Sequence, residues 1–457
     1  MIIKIDAREL PTIQQAMLAA RDTIHEHVAG GGGGGVAQSL KLQKKEIMEK
    51  DDHLSVVMLP WSAFGHMMPF FQLSIALAKE KVHVSFISTP KNVHRLPKIL
   101  PQLQPLVQLV PIPFPPLDPD FLPEGAEASV DLPFENTDNL KIAYDLLQKP
   151  IKQFIGDRLP DWIITDFAAH WVVEIGKECG VPLVYFSVFS AASIALFRSV
   201  ENFFIGKTND VLPPLETLTS PPDLVTSRST VAYREHEAVH FHAALYGVNG
   251  SGISDGERYA KILSACRVVA IRSCNEFEGE YFEAYKNKTE KLVIPTGLLP
   301  PEIPSKGVKR EISTDDAIFE WLDTQETRSV VFVGFGSECK LSKERVFEIA
   351  HGLELSGLPF LWALRKPKWA NSDADALPLG LLEEKGVAVE GSRRGDGSFT
   401  RDDIAKTLRH AMVEEQGEKL RSNARKAAAV FGDHKLHQHY IRQFVNTLKI
   451  NGTKRTS

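Results

Sequence analysis

A histidine placed just after a glycine at the end of an apolar run has the setting of a general base. In WSAFGHMMPF (61 to 70), His66 follows Gly65 and the strand-like run LSVVMLP (54 to 60). An imidazole accepts a proton from a hydroxyl near neutral pH, as a reaction with an alcohol nucleophile requires. A loop histidine satisfied by solvent or backbone fits the position equally well. Asp166 closes a second apolar run, DWIITD (161 to 166). If the two runs are parallel strands, both side chains reach one sheet edge, where a carboxylate on one ring nitrogen would fix the tautomer and stabilise the imidazolium. Asp166 is also placed to cap a helix beginning near Phe167. Two further groups, His434, His437 and His439 and then His236, His240 and His242, do not put three ligands on one helix face, so solvated helices are expected rather than metal sites.

To meet, His66 and Asp166 need a parallel sheet, and the sequence supplies its parts. LSVVMLP reads as a buried strand, PFFQLSIALAKEK (69 to 81) as a helix with Pro69 near its first turn, and VHVSFIS (82 to 88) as the next strand. Further strands are expected at 106 to 112, 161 to 166, 182 to 187, 267 to 273 and 291 to 296, with helices between several of them. This alternation predicts an α/β, doubly wound domain with helices on both faces of a mostly parallel sheet. Ligands of such sheets bind beyond the carboxyl ends of the strands, which is where His66 lies. Two long loops, 111 to 133 with seven prolines and 207 to 230, are placed to shape a binding site.

PPEIPSKGVKREI (300 to 312) reads as a linker, followed by a second α/β start. Its expected parts are a helix at 317 to 325, a strand and Gly-Ser turn at 329 to 337, a helix at 343 to 355 and a strand at 359 to 365. VAVE (387 to 390) is the last strand candidate, before helices at 401 to 412, 415 to 431 and 434 to 448. Three regions follow: 1–53, a flexible extension with six consecutive glycines (Gly30 to Gly35); 54–300; and 301–457.

The 457 residues carry a net charge of −5 and no basic block beyond short runs, so the ligand is expected to be small rather than a nucleic acid. Cys179, Cys266, Cys274 and Cys339 form no CxxC pair, which points away from a disulfide framework or zinc and toward a cytoplasmic protein. The uncharged stretch from Gly180 to Phe197 contains Pro182 and three serines, and reads as a buried strand and helix rather than a membrane span. No GxGxxG follows a strand, which disfavours a nicotinamide or flavin dehydrogenase.

Five stretches together carry a family resemblance: VVMLPWSAFGHMMPFFQLSIALA, DWIITDFAAHW, IRSCNEFEGEY, SVVFVGFGSECKLSKE and FLWALRKP. Over residues 54 to 449 the chain resembles plant family-1 UDP-glycosyltransferases, nearest to the branch that often adds a sugar, commonly rhamnose, to a flavonoid or triterpenoid glycoside. The resemblance implies two facing doubly wound domains of GT-B type, acceptor held mainly by 54–300 and UDP-sugar mainly by 301–457. It implies inverting transfer without metal or other cofactor, the UDP-sugar serving as co-substrate. His66 becomes the expected base and Asp166 its orienting partner. Gly336 and Ser337 become expected donor contacts, and Trp61, Phe64, Phe167, Trp171 and Phe189 the expected acceptor wall.

The family's donor-binding box is not found in this sequence. After DALPLG (375 to 380), where the resemblance leads toward that box, the chain passes to LLEEKGVAVE (381 to 390), which resembles the stretch beyond it. The second domain is therefore expected to lack central strands and to expose Phe335, Phe360, Leu361 and Trp362. The box would supply the uracil platform, phosphate donors and sugar contacts whose joint loss forfeits positioning of the donor. Besides a glycosyltransferase, a non-catalytic acceptor-binding remnant or mis-assembled gene product fits this junction.

Overall fold

The computed structural model describes residues 54–197, 213–222, 225, 229, 231–301, 314–336, 339–371, 376–378 and 399–452. The expected extension 1–53, most of the loop 207 to 230, the linker 302–313, Ser337, the junction of Gly380 with Leu381 and the strand 387 to 390 lie outside the described residues.

The first part runs β1 (Ser55–Leu59), α1 (Phe64–Lys79), β2 (His83–Ser88), α2 (Pro90–His94), β3 (Val107–Pro111), α3 (Thr137–Asp145) and α4 (Gln148–Arg158). It continues with β4 (Trp162–Thr165), α5 (Val172–Cys179), β5 (Leu183–Ser187), α6 (Ala191–Ala195), α7 (Glu216–Thr219) and α8 (Glu235–Tyr246). The elements α9 (Asp255–Ala265), β6 (Val268–Ile271), α10 (Asn275–Thr289) and β7 (Leu292–Pro295) complete it. Its seven strands are ordered β3-β2-β1-β4-β5-β6-β7 and every neighbouring pair is parallel.

Successive strand side chains point to opposite faces, and the apolar runs populate both. Val57, Leu59, Ile163, Tyr185, Val269 and Ile271 pack into the core on one face, with α5 and α9. Val56, Met58, Trp162, Ile164, Val184, Phe186, Val268 and Ala270 pack into the core on the other, with α1. A strand covered on both sides needs a continuous apolar run, which is what LSVVMLP and WIIT supply.

The second part holds α11 (Thr314–Asp323), β8 (Val331–Gly334), α12 (Lys343–Ser356), β9 (Phe360–Ala363), α13 (Arg401–Met412), α14 (Glu418–Phe431) and α15 (His434–Asn451). Among the described residues its sheet is the single parallel pair β8-β9. Val331, Val333 and Phe360 pack there with Ile349 and Leu353 of α12 and Ile404 and Leu408 of α13. Gly352 permits this approach, since a Cβ there would stand 2.7 Å from Ile404 Cβ. The last helix returns to the first sheet: Ile441, Phe444, Val445 and Leu448 join the core beside α1, and Trp162 Nε1 donates to the Leu448 carbonyl at 3.0 Å.

Four expectations change. The first helix begins at Phe64, not near Pro69, so His66 lies in its first turn and Pro69 inside it; proline's missing N–H costs one bond near the open end of the helix. No helix begins near Phe167, because α5 starts at Val172. Phe360 is buried, and Phe335, Leu361 and Trp362 pack partly buried around the same small core, although Trp362 Nε1 is buried without a partner. His437 is buried rather than solvated: Nε2 faces the Val430 carbonyl at 3.0 Å, and Nδ1 accepts from the Leu298 N–H at 3.2 Å. Among the described residues no group of three His, Cys, Asp or Glu side chains could hold a metal ion. No helix there is long and apolar enough to cross a membrane, and the stretch from Gly180 is β5 followed by α6.

Candidate active site

Parallel pairing sets Leu59 of β1 beside Thr165 of β4, and the Asp166 N–H extends the ladder to the Leu59 carbonyl at 3.2 Å. The strand order reverses at this pair, with β2 and β3 on one side and β5 to β7 on the other. Connections leaving such a point diverge and open a crevice beyond the strand ends. His66 and Asp166 meet there.

The Nδ1 atom of His66 lies 2.6 Å from Asp166 Oδ2, with the imidazole 14% exposed and the carboxylate 2% exposed. The same oxygen accepts the Trp61 N–H at 3.2 Å, and Oδ1 accepts the Phe167 N–H at 2.7 Å. With donors converging on both oxygens, the carboxylate serves as acceptor, so Nδ1 carries the imidazole proton and Nε2 the lone pair. Among the described residues no hydrogen bond engages Nε2. The turn before α1 is itself fixed, because the His66 and Met67 N–H groups both donate to the Ala63 carbonyl, at 2.9 and 2.8 Å. Asp166 bonds the N–H of its neighbour Phe167 rather than one two or three residues on, so its carboxylate holds a turn and an imidazole rather than capping a helix.

Aromatic rings enclose the pair. Phe189, which is 37% exposed, stands edge-on to the imidazole at 5.6 Å, and Phe167 lies at 5.7 Å. Trp61 is buried against Phe167 at 6.3 Å and Tyr144 at 5.2 Å. The Arg95 guanidinium lies 5.7 Å from the Phe64 ring centroid. Trp171 sits behind Tyr144, at 6.1 Å, and its indole N–H donates to Asp145 Oδ1 at 3.1 Å. The fold therefore sets Phe167 and Phe189 against His66, places Trp61 behind Phe167 with its N–H on Asp166, sets Phe64 on the first turn of the same helix, and gives neither Trp61 nor Trp171 a ring contact with the imidazole. Gly336 follows β8 in the left-handed region at φ +72°, as the expected Gly-Ser turn needs.

Several positioning groups escaped the sequence reading. The Tyr144 hydroxyl donates to the Pro60 carbonyl at 2.8 Å, anchoring the exit of β1. Burial, then the negative charges of Asp166 and Asp145, hold this phenol well above its usual pKa, so it stays a donor. Asp131 binds Arg95 at 2.5 and 2.9 Å and accepts the Glu127 and Ala128 N–H groups, while the Ser129 N–H reaches the Ser62 carbonyl at 3.0 Å. Burial raises the Asp131 carboxyl, but Arg95 and those N–H groups outweigh it and leave it below the ordinary range. These bonds tie the end of the proline-rich loop beside the site. Lys340, beyond the Gly336 turn, donates to the Leu132 carbonyl of that loop. Behind Trp171, Arg258 is 1% exposed and binds both oxygens of Asp145. Its Nη1 also meets His170 Nδ1 at 3.1 Å, and burial followed by the Arg258 charge pushes His170 down to about 4. A tyrosine and an arginine on two amphipathic helices carry no local mark of such roles.

No family model matches the chain. A soyasaponin III rhamnosyltransferase of Glycine max is 35% identical over 466 residues, spanning 87% of this chain and 96% of the relative. Those 466 aligned positions take in 87% of only 457 residues, so stretches of the relative have no counterpart here. Among solved structures, a Glycyrrhiza uralensis UDP-glycosyltransferase complexed with glycyrrhetinic acid 3-O-monoglucuronide superposes with a TM-score of 0.60 at 18% identity, covering 87% of this chain and 96% of that one. An Arabidopsis thaliana relative solved with UDP-L-rhamnose gives 0.58 at 17% identity, covering 87% and 100%. That protein has also been solved with quercetin. The solved structures share the GT-B fold, and with the sequence identity over nearly the whole length of the soybean relative, the chain belongs to the plant UDP-glycosyltransferase family.

Proposed function

We propose that this chain transfers a sugar from a UDP-sugar to a hydroxyl of a small plant metabolite, a flavonoid, a terpenoid or one of their glycosides, with His66 as base. The acceptor hydroxyl gives its proton to Nε2 while its oxygen attacks the anomeric carbon from the face opposite UDP. The bond from that carbon to the phosphate oxygen breaks, UDP leaves, and the configuration inverts. Asp166 stabilises the imidazolium formed at His66. Trp61, Phe64, Phe167 and Phe189 present an apolar wall to a planar or polycyclic acceptor, with Trp171 supporting it from behind. Gly336 and Ser337 are assigned to the donor phosphate on the family resemblance, as backbone and hydroxyl donors. The reading assigns no cofactor beyond the UDP-sugar, places the protein in the cytoplasm, and divides it into acceptor (54–300) and donor (301–457) domains behind an extension (1–53).

The observation that carries this proposal is the 2.6 Å contact of His66 Nδ1 with Asp166 at the crevice, which leaves Nε2 open. Transfer is tested by incubating the full chain with UDP-glucose or UDP-rhamnose and quercetin or its glycosides, then resolving products chromatographically. Replacing His66 by Ala is expected to lower turnover by roughly 10²- to 10⁴-fold while acceptor affinity stays within a few-fold. Unchanged turnover would remove His66 from the mechanism. Calorimetric titration with UDP tests the donor side independently: no heat with UDP alongside retained quercetin binding would reduce the function to acceptor binding, the outcome motivated by the passage from Gly380 to Leu381.

A further inference from the structure

The carboxylate of Glu278 is 6% exposed, sits far from His66 in sequence, and has no part in the chemistry above. It belongs to α10 at a point where the helix kinks, with φ −136° and ψ 28°. Its Oε2 accepts the Ala191 N–H at 3.0 Å and its Oε1 the Ala192 N–H at 3.2 Å, across 87 and 86 residues of chain. The Ser273 hydroxyl donates to Oε2 as well. The first N–H groups of a helix are normally satisfied by a residue just before it. In α6 the local cap Ser190 takes only the Ser193 N–H, at 3.2 Å, and the two N–H groups before it go to Glu278. The turn entering α6 is thus pinned from a neighbouring crossover, and that turn carries Phe189, whose carbonyl accepts from the Ser187 hydroxyl at 3.1 Å and whose ring stands edge-on to the imidazole.

We propose that Glu278 is a positioning residue for the acceptor site, holding the Phe189 ring against His66 through the first turn of α6. The proposal deepens the function above and rests on that reading for its effect on acceptor binding. A carboxylate fits the task because two acceptor oxygens serve three donors at once; an amide has one oxygen, and its NH₂ would face a backbone N–H.

The test uses the full chain carrying ¹³C-labelled histidine. The His66 Hε1 resonance, assigned by its loss in His66→Gln, reports the ring current of Phe189 and is defined by its displacement in Phe189→Leu. Glu278→Gln is expected to move this resonance in the direction that Phe189→Leu does, and to weaken quercetin binding roughly tenfold. In the double variant, quercetin binding is expected to be no weaker than in Phe189→Leu alone, since both changes remove the same wall. A Glu278→Gln protein that keeps the native His66 resonance and loses only thermal stability would overturn the proposal. So would losses of affinity that multiply in the double variant. If the wild type does not bind quercetin, the acceptor reading fails, while the resonance still decides whether Glu278 positions Phe189. Should Glu278→Gln not fold, Ser273→Ala, which removes one donor to the same oxygen, is expected to shift the resonance in the same direction, and no shift there would equally overturn it.

Discussion

Replacing Asp166 by Asn separates the two jobs of this carboxylate. Its Oδ2 serves His66 Nδ1 at 2.6 Å and the Trp61 N–H at 3.2 Å, and its Oδ1 serves the Phe167 N–H at 2.7 Å. An amide offers one acceptor oxygen and one NH₂. If the oxygen keeps the place of Oδ2, the NH₂ meets the Phe167 N–H, donor against donor. If it flips, the NH₂ meets both the Trp61 N–H and the imidazole, which must then accept at Nδ1 and hold its proton on Nε2. Either arrangement leaves a buried donor unpaired, which costs about 1 to 3 kcal/mol. The first also replaces a charge-assisted bond with a neutral one, and the second removes the Nε2 lone pair that the proposed mechanism needs. Urea unfolding is therefore expected to show a loss of that size, and sugar transfer from UDP-glucose to quercetin a fall of roughly 10²- to 10⁴-fold. Quercetin affinity measured by calorimetry is expected to stay within a few-fold, since the aromatic wall is untouched. An Asn variant with native stability and native turnover would refute the tautomer argument.

The remaining expectations concern stability. Phe444 of α15 is fully buried against the first sheet, so Phe444→Ala is expected to cost about 3 to 5 kcal/mol in urea unfolding. For Gly352→Ala the new Cβ would stand 2.7 Å from Ile404 Cβ and 2.8 Å from the Arg401 carbonyl, and a loss of about 1 to 3 kcal/mol is expected from the forced separation of α12 and α13. His170 is held near 4 against an ordinary value of 6.5, so the folded state prefers it neutral. The stability it contributes is complete above pH 6.5 and is lost as pH falls toward 4. Between pH 7 and pH 5 this should cost about 1 kcal/mol after allowance for partial exposure, a loss that His170→Asn should lack in the same unfolding assay.

The first sheet was legible because its strands are covered on both faces. A parallel strand buried twice over needs an unbroken apolar run, and LSVVMLP, DWIITD and PLVYFS announce themselves on that ground alone. The meeting of His66 with Asp166 followed from the same logic, since parallel neighbours end at one edge. The start of α1 was not legible: Pro69 reads as a first-turn residue, yet the helix continues through it from Phe64. Three residues between a glycine and a proline offer little propensity either way, and packing of Met67 and Phe70 into the core decides the matter. Glu278, Asp131 and Tyr144 were invisible for another reason. Glu278 and Tyr144 act through backbone groups far off in the chain, and Asp131, which takes the nearby Glu127 and Ala128 N–H groups, is tied to the site through Arg95, 36 residues away; none of these remote partners leaves a periodic or spacing signal.

Among the described residues, the hydrogen bonds and ring contacts that fix His66 all come from residues before 301. Asp166, the Trp61 and Phe167 N–H groups, the Ala63 carbonyl, Tyr144, Phe189 and Glu278 belong to the first sheet and its crossovers. Residues beyond 301 reach this network through Lys340 at the Leu132 carbonyl, one residue from Asp131, and through Tyr440, whose hydroxyl accepts the Asn275 N–H at 3.2 Å and donates to Glu276 Oε2 at 2.8 Å on the helix that carries Glu278. None of the bonds to Asp166 involves Lys340, so on the proposed mechanism losing the Lys340 contact would lower transfer without disturbing the His66 tautomer or the rings around it. Lys340→Met is expected to leave quercetin affinity and the His66 resonance at their native values and to lower only the rate of transfer. A changed resonance in that variant would mean that residues beyond 301 take part in setting His66, and that the proposed acceptor and donor steps are coupled.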